Sequence, residues 1–176
     1  MDLRVYFYSI LNAFRCRRRQ WLLALFCFAG ALFGVYASRF TGAAFLSLTR
    51  MALAAPVSVV GLSACCFLPF LFAAFAVFIS CRWLLYPICF AKFFLHCWFG
   101  FSVMMAYGSS GWLLRLFLQF SDGCMIPVLC WFCLRRLSGE GDSMKQDLLL
   151  CLLAALMAGI FDYCVITPFL ASLINI

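Results

Sequence analysis

Ionisable side chains are scarce in this sequence of 176 residues. It contains one histidine and six acidic residues, and charged residues make up 11% of the chain, against about 25% in average soluble domains. With so few ionisable side chains, the sequence contains no recognisable Ser–His–Asp set, nucleotide-binding loop or cluster of metal-ligating residues. We therefore expect no catalytic residues, no cofactor and no bound metal, and we expect that the protein is not an enzyme.

Long polar segments are also missing, since residues 138–147 form the one truly polar loop. Hydrophobic residues make up 68% of the chain, phenylalanine contributes 22 residues, and the mean hydropathy is +1.09. A water-soluble fold of this length leaves roughly 30% of its unfolded surface exposed and cannot hide so much apolar side chain. Disordered chains are polar and poor in aromatic residues. The expected fold class is therefore all-α, a polytopic integral membrane protein.

Cysteine is abundant, with 12 residues, but most of these lie inside apolar stretches. A buried cysteine behaves as a small hydrophobic residue. Cys130 and Cys133 have the spacing of metal ligands, but no second pair accompanies them. Secreted disulfide-rich scaffolds are loop-rich and polar, so the cysteines indicate packing within helices.

Five apolar blocks are long enough to cross the ~30 Å hydrocarbon core of a bilayer as helices. We predict one span in each of the blocks 21–38, 51–81, 83–107, 112–134 and 148–175. The range is four to six spans, because little separates the blocks between residues 51 and 123. Together they form a single helical transmembrane domain over residues 21–176.

Several local alternatives stay open at the sequence level. Residues 1–20 form a basic segment that begins either with a short interfacial helix over 1–14 or with a disordered tail. Residues 21–38 also resemble a cleaved signal peptide, and residues 51–81 also fit a re-entrant piece followed by a span. The glycines at the 107–111 turn signal allow either close helix approach or a flexible connection.

The basic residues predict the orientation in the membrane. If the N-terminus is cytoplasmic, that side of the membrane collects Arg15, Arg17, Arg18, Arg19, Arg82, Arg135, Arg136 and Lys145. The outer side collects Arg39 and Arg50, and the C-terminus lies outside. This asymmetry follows the positive-inside rule. We therefore interpret the net charge of +7 as a signal that orients the chain in the membrane, and we expect no nucleic-acid partner.

Asp122 is one of the polar residues predicted inside the membrane, where a central charge costs about 2.5–3.5 kcal/mol. It is flanked by Ser121 and Gly123. One interpretation is an ion or proton site. The favoured one is a helix break, with Asp122 capping the following helix, because Ser-Asp-Gly is typical of caps and turns.

Asp162 has no turn residue beside it, so we expect it to face the interior of the bundle and to pair with a cation. Lys92 and Arg82 are the candidates, and the pair has either a structural or a relay role. Lys92 and His96 are four residues apart and share one helix face.

Residues in four regions resemble the pattern of a known family: Ala29-Gly30 and Phe33-Gly34; Pro87, Lys92 and Phe99-Gly100-Phe101; Gly111-Trp112, Ser121-Asp122 and Ile126-Pro127; Phe161-Asp162 and Pro168. At these positions, mainly over residues 86–176, the chain resembles the stage II sporulation protein M family of small polytopic proteins. It departs from the family pattern where Phe93 replaces a glycine, Phe120 a proline and Asp122 an asparagine.

The resemblance implies a non-enzymatic membrane scaffold in the bacterial cell membrane. In that family the scaffold takes part in forespore engulfment and assembles with stage II sporulation proteins D and P, which cut peptidoglycan. The expected partners are therefore the lipid bilayer and these proteins, with the 39–50 loop, the 108–112 turn and the end of the chain as contact surfaces. The alternative is a small transporter or transporter subunit, with a polar cavity around Asp162 that also uses Asp122, Lys92 and His96.

Overall fold

The computed structural model describes residues 3–41, 47, 59–79, 81–108, 111–138, 144–166 and 168–169, and every regular element among them is helical. Two short helical turns accompany the α-helices: a 3-10 turn at Arg82–Leu84 and a π-helical turn at Asp162–Ile166. The α-helices are α1 (Leu3–Ser38), α2 (Val59–Phe78), α3 (Leu85–Tyr107), α4 (Gly111–Leu118), α5 (Phe120–Ser138) and α6 (Met144–Phe161).

Three of the helical segments are long and apolar enough to cross a membrane: Arg18–Ser38, Arg82–Tyr107 and Lys145–Ile166. The shortest has 21 residues, which is about 31 Å of helix. Gly111–Phe117 and Asp122–Ser138 pass the same test together, with a bend of 53° between them. The all-α class is thus confirmed within the described residues, which hold three such helices, or four if the bent pair is one span. The count of five spans stays a prediction.

Helix α1 crosses the boundary that the sequence predicts between the basic segment, which ends at residue 20, and the first span, which begins at residue 21. It continues without a break from Leu3 to Ser38, through the basic run 15–19. The first 27 residues of the chain contain neither glycine nor proline, so no residue there favours a break. The basic segment and the first apolar stretch therefore form one continuous helix.

Two glycines bring α1 into backbone contact with α3. A Cβ atom at Gly30 would overlap the carbonyl oxygen of Phe90, and one at Gly34 would overlap that of Phe94. Small residues four apart allow such close approach between helices in membranes. Phe26 also packs on Tyr86, one turn before Gly30 and Phe90. Residue numbers therefore increase in the same direction on both helices along the contact. Helices α1 and α3 therefore run parallel.

Two groups of buried side chains pack α2, α5 and α6 against one another and against the pair of α1 and α3. The first joins α1, α2, α3 and α5, and the second joins α2, α5 and α6. Their members are Leu23, Cys27, Ala76, Leu85, Tyr86, Cys89, Leu129, Cys133 and Leu137 in the first, and Ala73, Val77, Met125, Phe132, Cys151, Ala155 and Ala158 in the second. Many large apolar side chains remain on the outside, which is typical of a surface that faces lipid.

The connections around α4 are partly those expected. Helix α3 ends at Tyr107, and Gly108 follows with a positive φ of 59°, as the turn signal predicts. The break between α4 and α5 falls at Gln119, before the Ser-Asp-Gly sequence, so Asp122 lies in the first turn of α5. Residues 42–46, 48–58, 139–143 and 170–176 lie outside the described residues, together with the loop, capping and terminal features predicted there.

Candidate functional site: a charge cluster between α3 and α5

Three of the predicted intramembrane residues meet between α3 and α5. The ammonium of Lys92 is bonded to Oδ1 of Asp122, and Nδ1 of His96 lies 2.6 Å from Oδ2 of the same carboxylate. Lys92 and His96 are one helical turn apart on α3, as their spacing predicts. Both carboxylate oxygens thus contact α3, and Asp122 does more than occupy the predicted break.

Lys92 lies deep in the bundle. It comes ten residues after Arg82, about 15 Å along the helix, and its side chain is 7% exposed. The ring of Phe72 on α2 lies 5.1 Å from Nζ and adds a cation–π contact. A third helix therefore contributes to the charge cluster, and Lys92 does not extend to the membrane surface.

The cluster is less enclosed on the side of α5. The side chains of His96 and Asp122 are 18% and 27% exposed. The carboxylate of Asp122 is thus partly exposed at the surface of the bundle, whereas the side chain of Lys92 is buried. The contacts of Asp122 with Lys92 and His96 join α5 to α3.

Gln119 and Arg115 extend the polar contacts toward α4, and the sequence analysis gave neither residue a role in a site. Gln119 donates from Nε2 to the carbonyl oxygen of His96, and Arg115 Nε donates to Gln119 Oε1 at 3.2 Å. The guanidinium of Arg115 also lies 4.6 Å from the centre of the Phe101 ring. The sequence signal for Gln119 is a polar amide inside an apolar block, two residues before Ser121 of the Ser-Asp-Gly sequence.

Gly100 makes room for this connection. A Cβ atom there would overlap Oε1 of Gln119 and would lie 2.6 Å from Nε of Arg115. Any larger residue at this position would displace the side chains of Gln119 and Arg115.

A second ion pair lies where α5 ends and α6 begins. Nη1 of Arg135 donates to Oδ1 of Asp147 at 2.6 Å, and Asp147 is buried. The sequence placed Asp147 in the polar loop, whereas the structure places it in the first turn of α6. It therefore packs inside the bundle as an internal partner of Arg135.

The predicted topology-setting arginines gather near this ion pair. Arg136 donates from Nη2 to the carbonyl oxygen of Val77 at 2.7 Å, and Arg19 donates from Nη1 to that of Leu137 at 3.1 Å. Arg18 is exposed on α1. The side chains of Arg15 and Arg17 lie outside the described part of the structure. The ends of α2 and α5 and the first apolar turns of α1 thus share one end of the bundle.

Lys92, one of the two cations predicted to pair with Asp162, pairs with a different acid. Asp162 begins the π-helical turn after α6, whereas Arg82 is exposed at the 3-10 turn before α3. The acid that Lys92 contacts is Asp122 rather than Asp162. The sequence predicted a cap role for Asp122, and the packing of α5 against α3 brings its carboxylate to Lys92.

Four cysteines lie where α1, α3 and α5 meet. The thiol of Cys89 is 3.4 Å from that of Cys133, and both are buried. Cys27 is also buried and Cys130 partly so. Within the described residues no three His, Cys, Asp or Glu side chains are arranged to hold a metal ion. The pair Cys130 and Cys133 lies on a packed helix surface.

Comparison with known proteins adds no relative to this description. No family model, curated protein or solved structure matches the chain.

Proposed function

We propose that the protein is a non-enzymatic integral membrane scaffold that crosses the bilayer five times with its N-terminus in the cytoplasm. The parallel course of α1 and α3 supports an even number of crossings between the start of α1 and the start of α3, namely α1 itself and one further span. Helix α2 supplies one crossing, since its 20 residues span about 30 Å. In this topology the arginine-rich end of the bundle is cytoplasmic, as the positive-inside rule requires.

The observation that carries the scaffold proposal is the internal pairing of the charges in the bundle. Lys92 pairs with Asp122, and Arg135 pairs with Asp147. A charge inside a membrane is costly unless it has a partner. Pairs between different helices hold the bundle in one arrangement, and they leave the outer surface apolar and suited to contact with lipid and with partner helices.

The outer face of α4 is the partner surface that we favour. Trp112, Leu113 and Leu116 are exposed there, directly after the 107–111 turn. The turn is on the outer side of the membrane in the proposed topology. The resemblance to the stage II sporulation protein M family suggests the partners, stage II sporulation proteins D and P, and a role in engulfment at the bacterial cell membrane.

The scaffold is tested by photo-crosslinking from α4 in sporulating cells. A photoreactive residue at Leu113 in the full chain is expected to capture peptidoglycan-cutting partners. The same residue at Leu153, which is exposed on α6, serves as the control and is expected to capture little. Recovery of the chain without any protein partner from both positions would contradict the proposal.

A small transporter, or a subunit of one, is the second candidate. The partial exposure of Asp122 and His96 favours it, because residues that move protons or ions must be reached from water. The purified full chain in liposomes would then conduct protons or ions, and Asp122→Asn would abolish the flux. A flux that is absent from the wild type, or unchanged in the variant, rejects this candidate.

A further inference from the structure

A cavity of about 320 Å³ opens beside α1 at the arginine-rich end of the bundle. Helix α1 and the 3-10 turn before α3 form its walls, and the first turn of α3 closes one side. Its lining combines three arginines with two aromatic side chains and two leucines, one of which lies at the end of α5: Arg18, Arg19, Arg82, Trp83, Tyr86, Leu22 and Leu137. Neither the scaffold proposal nor the charge cluster at Asp122 uses this cavity.

The electrostatics of the cavity favour an anion. Arg18 and Arg82 are exposed, and Arg19 is held in place by its bond to the carbonyl oxygen of Leu137. In the described part of the chain, none of the three is ion-paired with a carboxylate, and no acidic residue lines the cavity. Guanidinium groups bind phosphate oxygens in a bidentate manner, so three of them around one opening suit a phosphate group.

The surroundings of the cavity favour an anion that is attached to hydrocarbon. The rings of Trp83 and Tyr86 have their centres 6.0 Å apart, and Trp83 is 74% exposed. Tryptophan and tyrosine concentrate at the level of lipid headgroups. A small free anion would gain little from such neighbours.

An apolar groove continues from the cavity along α1. The groove shares Arg18 and Leu22 with the cavity and extends past Ala24 and Leu25 to Phe28. Its lining is almost wholly apolar beyond Arg18. The groove follows α1 toward the middle of the membrane, which is the direction that an acyl chain takes below its headgroup.

We propose that this cavity binds the phosphate headgroup of an anionic phospholipid, with an acyl chain of the same lipid in the groove along α1. Arg18 on α1 and Arg82 on the 3-10 turn before α3 contact the phosphate, and Arg19 contributes a third positive charge to the wall of the cavity. Basic pockets between transmembrane helices on the cytoplasmic side bind anionic headgroups in this way. The bound lipid would join α1 to the start of α3.

The test is lipid retention by the full chain in native mass spectrometry. The protein is taken from bilayers with equal amounts of phosphatidylglycerol and phosphatidylcholine that carry identical acyl chains. We expect the wild type to retain phosphatidylglycerol preferentially, and Arg18→Gln with Arg82→Gln to lower this preference roughly fivefold for each arginine removed. Both side chains are exposed, and each single variant provides a second measurement if the double variant folds poorly.

The matched control removes the same charge elsewhere. Arg39→Gln with Lys145→Gln replaces two exposed cations outside the cavity and should keep the preference. An equal loss in the control would overturn the proposal in favour of general surface attraction. Displacement of the lipid by inorganic phosphate would overturn it in favour of a small-anion site. Neither outcome affects capture of partners from Leu113, so the scaffold proposal fails or stands separately.

Discussion

Lys92 lies inside an apolar helix, and its partners come from two other helices. Asp122 neutralises the ammonium, and the ring of Phe72 covers another side of it. Removal of one member of such a pair leaves an uncompensated charge, while removal of both leaves an apolar contact. At the scale of single residues, the pair is therefore a coupled unit.

A double-mutant cycle on this pair tests the coupling. We expect Lys92→Leu or Asp122→Leu alone to destabilise the folded protein by about 3 kcal/mol, since each leaves one charge unpaired in the membrane. The combination should recover most of this loss. Thermal unfolding of the purified chain in detergent measures the change for each variant.

Lys145→Leu is the control for this cycle, because Lys145 is exposed at the start of α6. It should change the unfolding temperature little. Additive effects of the two single variants would show that Lys92 and Asp122 act independently and would contradict the pairing.

At the scale of the helices, the contact between α1 and α3 depends on Gly30 and Gly34. The backbones approach so closely that a Cβ atom has no space at either position. The van der Waals contacts along such an interface are the main attraction between helices in lipid, where the hydrophobic effect between them is absent. Substitution at these glycines therefore separates two helices rather than filling a gap.

Gly30→Leu is expected to destabilise the protein by about 2 kcal/mol or more through overpacking against Phe90. Gly123→Ala is the matched control on α5, where a Cβ atom would meet nothing within 4 Å. It should be neutral or slightly stabilising, because alanine favours a helix over glycine. The unfolding temperatures of both variants decide this, and equal effects would contradict the close contact.

The bend between α4 and α5 shows what helix-level sequence reasoning can reach. The Ser-Asp-Gly sequence predicts a break, and a break lies close by, at Gln119. The amide of Gln119 donates a hydrogen bond to the backbone of α3, and Asp122 lies beside Lys92 and His96 on the same helix. The turn propensity of Ser-Asp-Gly indicated the approximate position of the helix break. The contacts that Asp122 makes with α3 could be read only from the structure.

For the molecule as a whole, the proposed five-span topology predicts opposite sides for two accessible tags. A tag inserted at residue 140, in the polar loop, is expected to be reached from the cytoplasm. A tag after residue 176 is expected to be reached from outside, because a fifth crossing separates the two. Protease protection of intact cells and of inverted vesicles measures both positions.

Cleavage of both tags by protease from the same side of the membrane would contradict five crossings. A correct result would also place the cavity with Arg18 and Arg82 in the cytoplasmic leaflet. That leaflet is rich in anionic lipid and attracts basic segments. The orientation of the whole chain and the proposed lipid site thus depend on the same arrangement of arginines.

The sequence alone determined that this protein is helical and belongs in a membrane, since hydrophobic content and helix length do not depend on how the helices pack. It also identified Asp122, Lys92 and His96 as polar residues inside apolar blocks. Only the tertiary structure decided that Asp122, rather than Asp162, neutralises Lys92, and that Asp147 is buried. The physical reason is that pairing requires two atoms to meet across different helices. Close backbone contacts, such as those at Gly30, set which residues face each other, and linear spacing does not contain that information.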